Sequence, residues 1–338
     1  MGKRENQIRE NWVDNIKLLA CILVAMGHFF QSMVRADILS DSKVYEWFER
    51  TIYYFHVPLF FICSGYLYQQ YSKVASAASW RNNILRKLLT LGIPYFTFSS
   101  VTWAMKTVFS GAVNEDIGGI IHTLLIVPTS PYWYLYCLFL IFLITPTFSS
   151  LKMAKAGLLI ALIFKVICLA GWGKTGIFAV STVLENEIWF VLGMLISITE
   201  WKKWLDKRWR RIGAGSAAVF VIVSIIVYEV GVQGEIIEFV LGIWACGTVI
   251  IMLYGREARS SVWEWIANYT MPIFLMHTIF AAGLRIVLLK VGIRSAAIHI
   301  PLGIVISFAG PIIAAIVMGK VWKLDFLLYP GRYIRGRK

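Results

Sequence analysis

Ten apolar segments, each near the length of a membrane span, restrict the fold of this 338-residue chain more than any other feature. They cover residues 16–34, 52–68, 88–109, 132–148, 154–172, 177–199, 212–230, 236–254, 262–289 and 298–321. A helix needs about 20 apolar residues to cross a bilayer. Only 15% of the residues are charged, whereas a soluble domain carries about 25%. The sequence therefore predicts an all-α integral membrane protein with about ten transmembrane helices.

Basic residues concentrate in alternate connections between these segments. They are Lys3, Arg4 and Arg9; Lys73, Arg81, Arg86 and Lys87; Lys152 and Lys155; Lys202, Lys203, Lys207, Arg208, Arg210 and Arg211; Arg256 and Arg259; and Lys323, Arg332, Arg335, Arg337 and Lys338. Alternate connections lie on one side of the membrane, and the positive-inside rule makes that side the cytoplasm. We therefore predict a cytoplasmic N-terminal segment (1–15), a single ten-helix domain (16–322) and a basic cytoplasmic tail (323–338). The net charge of +14 is explained by this pattern and does not indicate nucleic-acid binding.

Ionisable side chains inside the apolar segments are the first candidates for function, because such groups are costly at membrane depth. They are His28, His56, Lys165, Glu185, Glu187, His277 and Arg285. His28 and His56 lie at similar predicted depths on consecutive spans, where both can line one cavity. The two glutamates lie nearer the midplane, and a carboxylate there can orient a histidine. The alternative is structural, because a histidine in a membrane helix can also serve only to hydrogen-bond a neighbouring helix.

The first span places its ionisable residues along one face. Lys17 precedes His28 by eleven residues, which returns to nearly the same side of a helix about 16 Å further along. Asp14 lies one turn before Lys17. This stripe is compatible with a long ligand whose phosphate-bearing head stays at the cytoplasmic face, and coenzyme A thioesters have that shape. The spacing alone does not select such a ligand.

Two sequence motifs resemble those of the acyltransferase-3 family of membrane O-acyltransferases. The first is Asp14 to Lys17 followed by Gly27 and His28, where the family has Asp-x-x-Arg and a histidine eleven residues later. The second, residues 55–67, resembles its Pro-Leu-Phe-Phe-x-x-Ser-Gly-Tyr signature, with His56 as in the fucose 4-O-acetylase-like branch. Weaker matches lie at 93–95, 132–135, 190–193 and 275–277, so the resemblance covers nearly the whole chain. Lys17 departs from the family's arginine, and its Arg-x-x-Arg before the third span is not matched.

The resemblance implies that residues 16–322 form an acyltransferase domain. Family members take an acyl group, usually acetyl, from cytoplasmic acyl-CoA and place it on a hydroxyl of a cell-surface or lipid-linked carbohydrate. His28 is by this carry-over the residue expected to deprotonate the hydroxyl. We predict catalytic roles for His28, His56 and Glu187, and acyl-CoA binding by Asp14, Lys17, Arg86 and Lys87. Substrate-binding residues are predicted to be Ser64, Tyr66, Trp133, Tyr134, Glu185 and His277.

Acyl-CoA is expected as a co-substrate, with no permanently bound cofactor and no metal. The other expected partners are membrane lipids and the carbohydrate acceptor, and the expected location is a cell membrane, specifically a bacterial plasma membrane, which the chain crosses several times. The alternative function is a proton-coupled secondary transporter or exporter of a small polar solute, since buried Glu, Lys and His also suit proton coupling. A transporter would need no acyl-CoA and would release no free CoA.

Overall fold

The computed structural model describes residues 11–40, 42–72, 74–109, 118–201, 207–254 and 261–334, and these residues form helices without any β-strand. The helices are α1 (Asn11–Arg35), α2 (Lys43–Tyr53), α3 (His56–Tyr71), α4 (Ala77–Lys87), α5 (Ile93–Val108), α6 (Trp133–Ile144), α7 (Leu151–Leu169), α8 (Phe178–Ile198), α9 (Lys207–Glu229), α10 (Glu235–Leu253), α11 (Ser261–Ala267), α12 (Thr270–Lys290), α13 (Ala296–Lys320) and α14 (Gly331–Ile334). The predicted N-terminal segment and basic tail are described only in part. Lys3, Arg4, Arg9, Lys73, Lys202, Lys203, Arg256, Arg259, Arg335, Arg337 and Lys338 lie outside the described residues.

Six of the described helices are long and apolar enough to cross a membrane: α1, α8, α9 from Arg211, α10, α12 and α13. The shorter α6 is also apolar. Outward-facing residues of α9, such as Val219, Ile222 and Ile226, are large, apolar and exposed, as expected of a surface that lipid covers. The chain is thus a multi-pass membrane protein. Each of the ten apolar segments contains a helix, but ten crossings and cytoplasmic termini stay predictions.

Three predicted spans differ in detail from single straight helices, and the first of these, 52–68, contains the end of α2 as well as most of α3. The ninth segment, 262–289, is divided into α11 and α12 by Asn268 and Tyr269. Pro272 lies in the first turn of α12, where a missing N–H breaks no helical hydrogen bond. The third segment begins in a π-helical turn, Leu88–Gly92, which joins α4 to α5. An average of hydropathy registers none of these irregularities, because it measures composition and not local backbone geometry.

The closest packing between the described helices joins α3 to α8 through two glycines. A Cβ atom on Gly65 would lie 1.9 Å from the backbone oxygen of Phe190, and one on Gly193 would lie 2.0 Å from that of Ile62. Any larger residue would therefore push the two backbones apart. Small residues permit such approach between membrane helices. This pair fixes the positions of the second and sixth predicted spans relative to each other.

Helix α2 lies before the second predicted span, apart from its last two residues, and it contacts both α1 and α9. The indole nitrogen of Trp47 donates to Ser224 Oγ at 3.0 Å, and the Tyr228 hydroxyl donates to Glu46 at 2.6 Å. On its other side α2 approaches α1 at Gly27, where a Cβ would lie 3.1 Å from Ile52 Cδ1. The helix therefore bridges two spans on the predicted outer side of the bundle.

Candidate active site

Two cavities occupy the predicted outer half of the bundle and meet beside α1. Their volumes are about 360 Å³ and 390 Å³, and we refer to them as cavity A and cavity B. Among the described residues, three line both cavities: His28 of α1, Tyr53 of α2 and Ser130 in the connection before α6. The predicted catalytic histidine therefore lies at the junction of two internal spaces rather than against lipid.

His28 contacts a hydroxyl on one side and an aromatic ring on another. Its Nε2 atom is 3.3 Å from Ser130 Oγ. Its ring stacks on that of His277 from α12, with centroids 5.5 Å apart and planes at 29°. His277 Nδ1 lies 2.9 Å from the Ile273 carbonyl oxygen, and because a carbonyl only accepts, Nδ1 carries the proton. The buried Nε2 of His277 has no hydrogen-bond partner among the described residues.

Two polar residues extend from His28 towards α2. Gln31, one turn further along α1, shares the helix face of His28 and lines cavity A beside it. The Gln31 side-chain nitrogen donates a hydrogen bond to Glu49 Oε1. The close approach of α1 and α2 at Gly27 brings these groups together. An amide that is hydrogen-bonded to a carboxylate therefore lies next to His28 on the wall of the chamber.

Cavity A has a basic lining. Its charged lining residues among those described are Arg35, Lys106 and Arg285, with no carboxylate. Arg285 Nη1 donates to the backbone oxygen of Ser32 at 2.8 Å, so the guanidinium is held at the α1–α12 interface. His277 lines this cavity as well. The surroundings suit an anionic group next to an apolar wall.

Cavity B is lined by aromatic rings and by charged groups of both signs. It contains four of the predicted residues besides His28, namely His56, Trp133, Tyr134 and Glu185. Its other lining residues with a charged or amide group are Arg50, Lys165, Asn186, Glu235 and Glu238. Lys165 Nζ lies 3.8 Å from Glu185. Carboxylates and an amide that accept and donate hydrogen bonds, beside flat aromatic surfaces, suit a molecule with many hydroxyls.

Three of the predicted catalytic and substrate-binding residues lie apart from both cavities. Ser64 Oγ hydrogen-bonds the Tyr134 hydroxyl at 3.0 Å, so Ser64 contacts a lining residue from behind. Tyr66 is fully buried against Trp12, with ring centroids 4.8 Å apart. Glu187 is buried and accepts a hydrogen bond from Thr145 Oγ1 at 2.6 Å. The structure brings these three side chains into the helix packing rather than the cavity walls.

The residues predicted to bind acyl-CoA lie at the other end of α1. Asp14 and Lys17 occupy its first two turns, and Arg86 and Lys87 end α4. Partial burial, followed by the charges of Arg86 and Lys17, lowers the pKa of Lys87 to about 7. Lys87 Nζ is 3.8 Å from the centre of the Phe142 ring. The three cations thus form a basic cluster, while none of the four residues lines cavity A or cavity B.

Sequence reasoning missed Gln31, Glu49, Tyr53 and Ser130. Gln31 carried a usable signal, since it follows His28 by three residues and so shares its helix face. The other three lie on α2 or in the connection before α6, and only tertiary packing brings them to His28. Among the described residues, no group of three or more His, Cys, Asp or Glu is arranged to hold a metal ion.

A bundle of membrane helices with a polar, histidine-centred site between two cavities defines an integral membrane protein with an internal reaction or binding chamber. A family model described as "Acyltransferase domain" matches residues 10–317, and the chain belongs to this acyltransferase-3 family. It is therefore a membrane acyltransferase. Comparison with curated proteins and with solved structures found no match.

Proposed function

We propose that this membrane acyltransferase transfers an acyl group, primarily acetyl, from cytoplasmic acyl-CoA to a hydroxyl of a cell-surface or lipid-linked carbohydrate in a bacterial plasma membrane. The observation that carries the proposal is the position of His28, whose Nε2 atom lies beside a hydroxyl at the junction of two cavities. The resemblance of residues 55–67 to the fucose 4-O-acetylase-like branch favours a sugar hydroxyl as acceptor.

His28 acts as the general base in this proposal. Neutral imidazole takes the proton of the attacking hydroxyl, whose oxygen forms a bond to the thioester carbonyl carbon. The carbon–sulfur bond then breaks, and the CoA sulfur receives the proton from His28. A positioned general base contributes about 10²- to 10⁴-fold to such a reaction. Histidine suits the task because its unperturbed pKa is about 6.5.

Cavity B is the proposed site of the carbohydrate. Trp133 and Tyr134 offer ring surfaces, and Glu185, Asn186 and Glu238 offer hydrogen-bonding groups. His56 lines the same cavity, and its Nδ1 lies 2.6 Å from the Ile52 carbonyl oxygen. Because that carbonyl only accepts, His56 Nδ1 carries a proton and the ring orientation is fixed.

The basic cluster of Lys17, Arg86 and Lys87 is the proposed site of the CoA phosphates. Lys17 lies eleven residues before His28, so the two Cα atoms are about 16 Å apart along α1. A long pantetheine arm is suited to such a separation between a phosphate head and a reacting thioester. Lys17 supplies charge without the bidentate geometry of arginine.

The test uses the purified protein in lipid nanodiscs with acetyl-CoA, and cells with and without the gene. We expect release of free CoA in the presence of acceptor, and a mass step of one acetyl group on surface glycans only in cells that make the protein. His28→Ala should abolish both signals. His299→Ala is the matched control, because His299 is a buried histidine on α13 that bonds the Ile293 carbonyl outside both cavities.

Two results would contradict the proposal. Full acyl transfer by the His28→Ala variant would show that His28 is not the general base. A wild-type protein that binds no acyl-CoA but couples a solute gradient to proton movement would be a transporter instead.

A further inference from the structure

Ser130 is fixed in a short connection that leads into α6. The backbone oxygen of Thr129 accepts hydrogen bonds from the amides of Tyr132 at 2.8 Å and Trp133 at 3.2 Å. These bonds close the chain around Ser130 and Pro131. The Ser130 hydroxyl is thereby placed 3.3 Å from His28 Nε2, with cavity A on one side and cavity B on the other.

The contact with Ser130 determines which ring nitrogen of His28 is the base. Nε2 is the ring atom that lies 3.3 Å from Ser130 Oγ. A neutral imidazole has one protonated nitrogen and one nitrogen with a lone pair. When Nε2 keeps its lone pair, it accepts a hydrogen bond from the Ser130 hydroxyl and can take its proton.

We propose that Ser130 is a catalytic nucleophile that carries the acyl group as an ester between donor and acceptor. The inference rests on the proposed function, and it replaces the direct attack of the acceptor on the thioester with two steps through an ester of Ser130. A hydroxyl within hydrogen-bond reach of a base, with the base oriented by a further group, is the arrangement of an activated nucleophile. Here the hydroxyl belongs to Ser130, the base is His28, and the stacked ring of His277 orients the base.

The reaction then proceeds in two balanced steps. In the first, His28 removes the Ser130 proton, the Ser130 oxygen bonds to the thioester carbonyl carbon, and CoA leaves with that proton as a free thiol. In the second, His28 removes the proton of the acceptor hydroxyl, which attacks the Ser130 ester. The ester carbon–oxygen bond to Ser130 breaks, and Ser130 recovers a proton from His28.

The geometry favours two steps because His28 Nε2 has one lone pair. While Ser130 donates to it, an acceptor hydroxyl cannot occupy the same position. A residue that borders both cavities can receive the acyl group from a ligand in one and deliver it to a ligand in the other. Donor and acceptor then need not be bound at the same time.

The test measures exchange of isotope-labelled CoA into acetyl-CoA by the wild-type protein without any acceptor. We expect exchange, together with an acetyl mass increase on the Ser130 peptide after acid quenching. Ser130→Ala should abolish both. Ser130→Cys should restore an adduct that neutral hydroxylamine removes, since it is a thioester. Ser197→Ala is the control, because Ser197 lies on α8 outside both cavities and bonds Gln70 at 3.0 Å.

Distinct outcomes separate this inference from the proposed function. Acyl transfer to an acceptor without exchange and without an adduct would overturn the Ser130 intermediate and leave the acyltransferase proposal standing. Transfer by Ser130→Ala at the wild-type rate would also overturn the Ser130 intermediate and leave the acyltransferase proposal standing. If the wild-type protein neither exchanges CoA nor releases it with any glycan acceptor, both proposals fail. Should Ser130→Ala not fold, the presence or absence of an adduct on Ser130→Cys decides the inference.

Discussion

The imidazole rings of His28 and His277 lie against each other, with centroids 5.5 Å apart. The orientation of His277 is fixed, because its Nδ1 atom donates to the backbone oxygens of Ile273 and Phe274, at 2.9 and 3.0 Å. Its ring therefore presents a fixed flat surface to His28. This contact ties the proposed base on α1 to a second helix, and it limits rotation of the His28 ring.

Replacing His277 with leucine should misplace His28 without affecting donor binding. We expect kcat to fall about tenfold, which corresponds to about 1.4 kcal/mol in the transition state, with an unchanged Kd for acetyl-CoA. His277→Phe keeps a flat ring and should lose less activity than His277→Leu. Steady-state kinetics and calorimetric binding measure the two quantities. Equal losses in both variants would show that stacking is not what His277 contributes.

Acyl-CoA binding should weaken as the pH rises through about 7. Lys87 has a pKa lowered to about 7, so it is charged below that pH and loses its charge above it. An ammonium group attracts the CoA phosphates and a neutral amine does not. We expect the Kd for acetyl-CoA to rise about fivefold from pH 6 to pH 8, equivalent to about 1 kcal/mol.

The Lys87→Met variant separates the effect of Lys87 on the pH dependence of acetyl-CoA binding from the effect of the titrating CoA phosphates. Calorimetry on the variant should give weak binding at pH 6 and no further loss at pH 8, because the phosphates only gain negative charge over this range. An identical pH dependence in the wild-type and variant proteins would place the CoA head elsewhere.

Lys165 and Glu185 form an ion pair in which the two partners should contribute differently to stability. The Lys165 side chain is 8% exposed and that of Glu185 is 59% exposed. Glu185→Gln leaves a buried cation without its carboxylate, and we expect a loss of about 1–2 kcal/mol in unfolding free energy. Adding Lys165→Met should recover most of that loss, because the buried charge is then removed as well.

The exposed pair of Lys174 and Glu235, 3.5 Å apart, is the matched control for Lys165 and Glu185. Lys174→Met should change stability by less than about 1 kcal/mol. Thermal unfolding in one detergent compares all of these variants. A double variant no more stable than Glu185→Gln alone would argue against an uncompensated charge.

A methyl group on Gly65 should destabilise the fold strongly. Its Cβ would lie 1.9 Å from the Phe190 oxygen, so α3 and α8 would have to separate. We expect Gly65→Ala to cost at least about 2 kcal/mol, measured by thermal unfolding. Gly247→Ala on α10 is the control, since a Cβ added there would meet no described atom within 4 Å, and alanine there should be neutral or stabilising. Equal effects of both substitutions would mean that the helices do not pack this closely.

The sequence predicted the helical membrane fold because hydropathy and helix length are local properties. It also identified the family, through motifs around His28 and residues 55–67, and the family match over 10–317 confirms that resemblance. It did not predict α2, because the charged residues of this helix resemble those of the polar connections between spans. Ser130 and Glu49 carry no local signal, since their nearness to His28 arises only when α1, α2 and the connection before α6 pack together.

Helix α2 touches two separate partners, and this has a consequence for motion in the chamber. Trp47 and Glu46 fasten it to α9, while Glu49 fastens it to Gln31 on α1. All three contacts lie within one turn of α2, so the helix couples α9 to α1. A movement of α9 away from α1 must therefore break the contacts of Trp47 and Glu46 or strain the contact between Glu49 and Gln31, which lies one turn from His28.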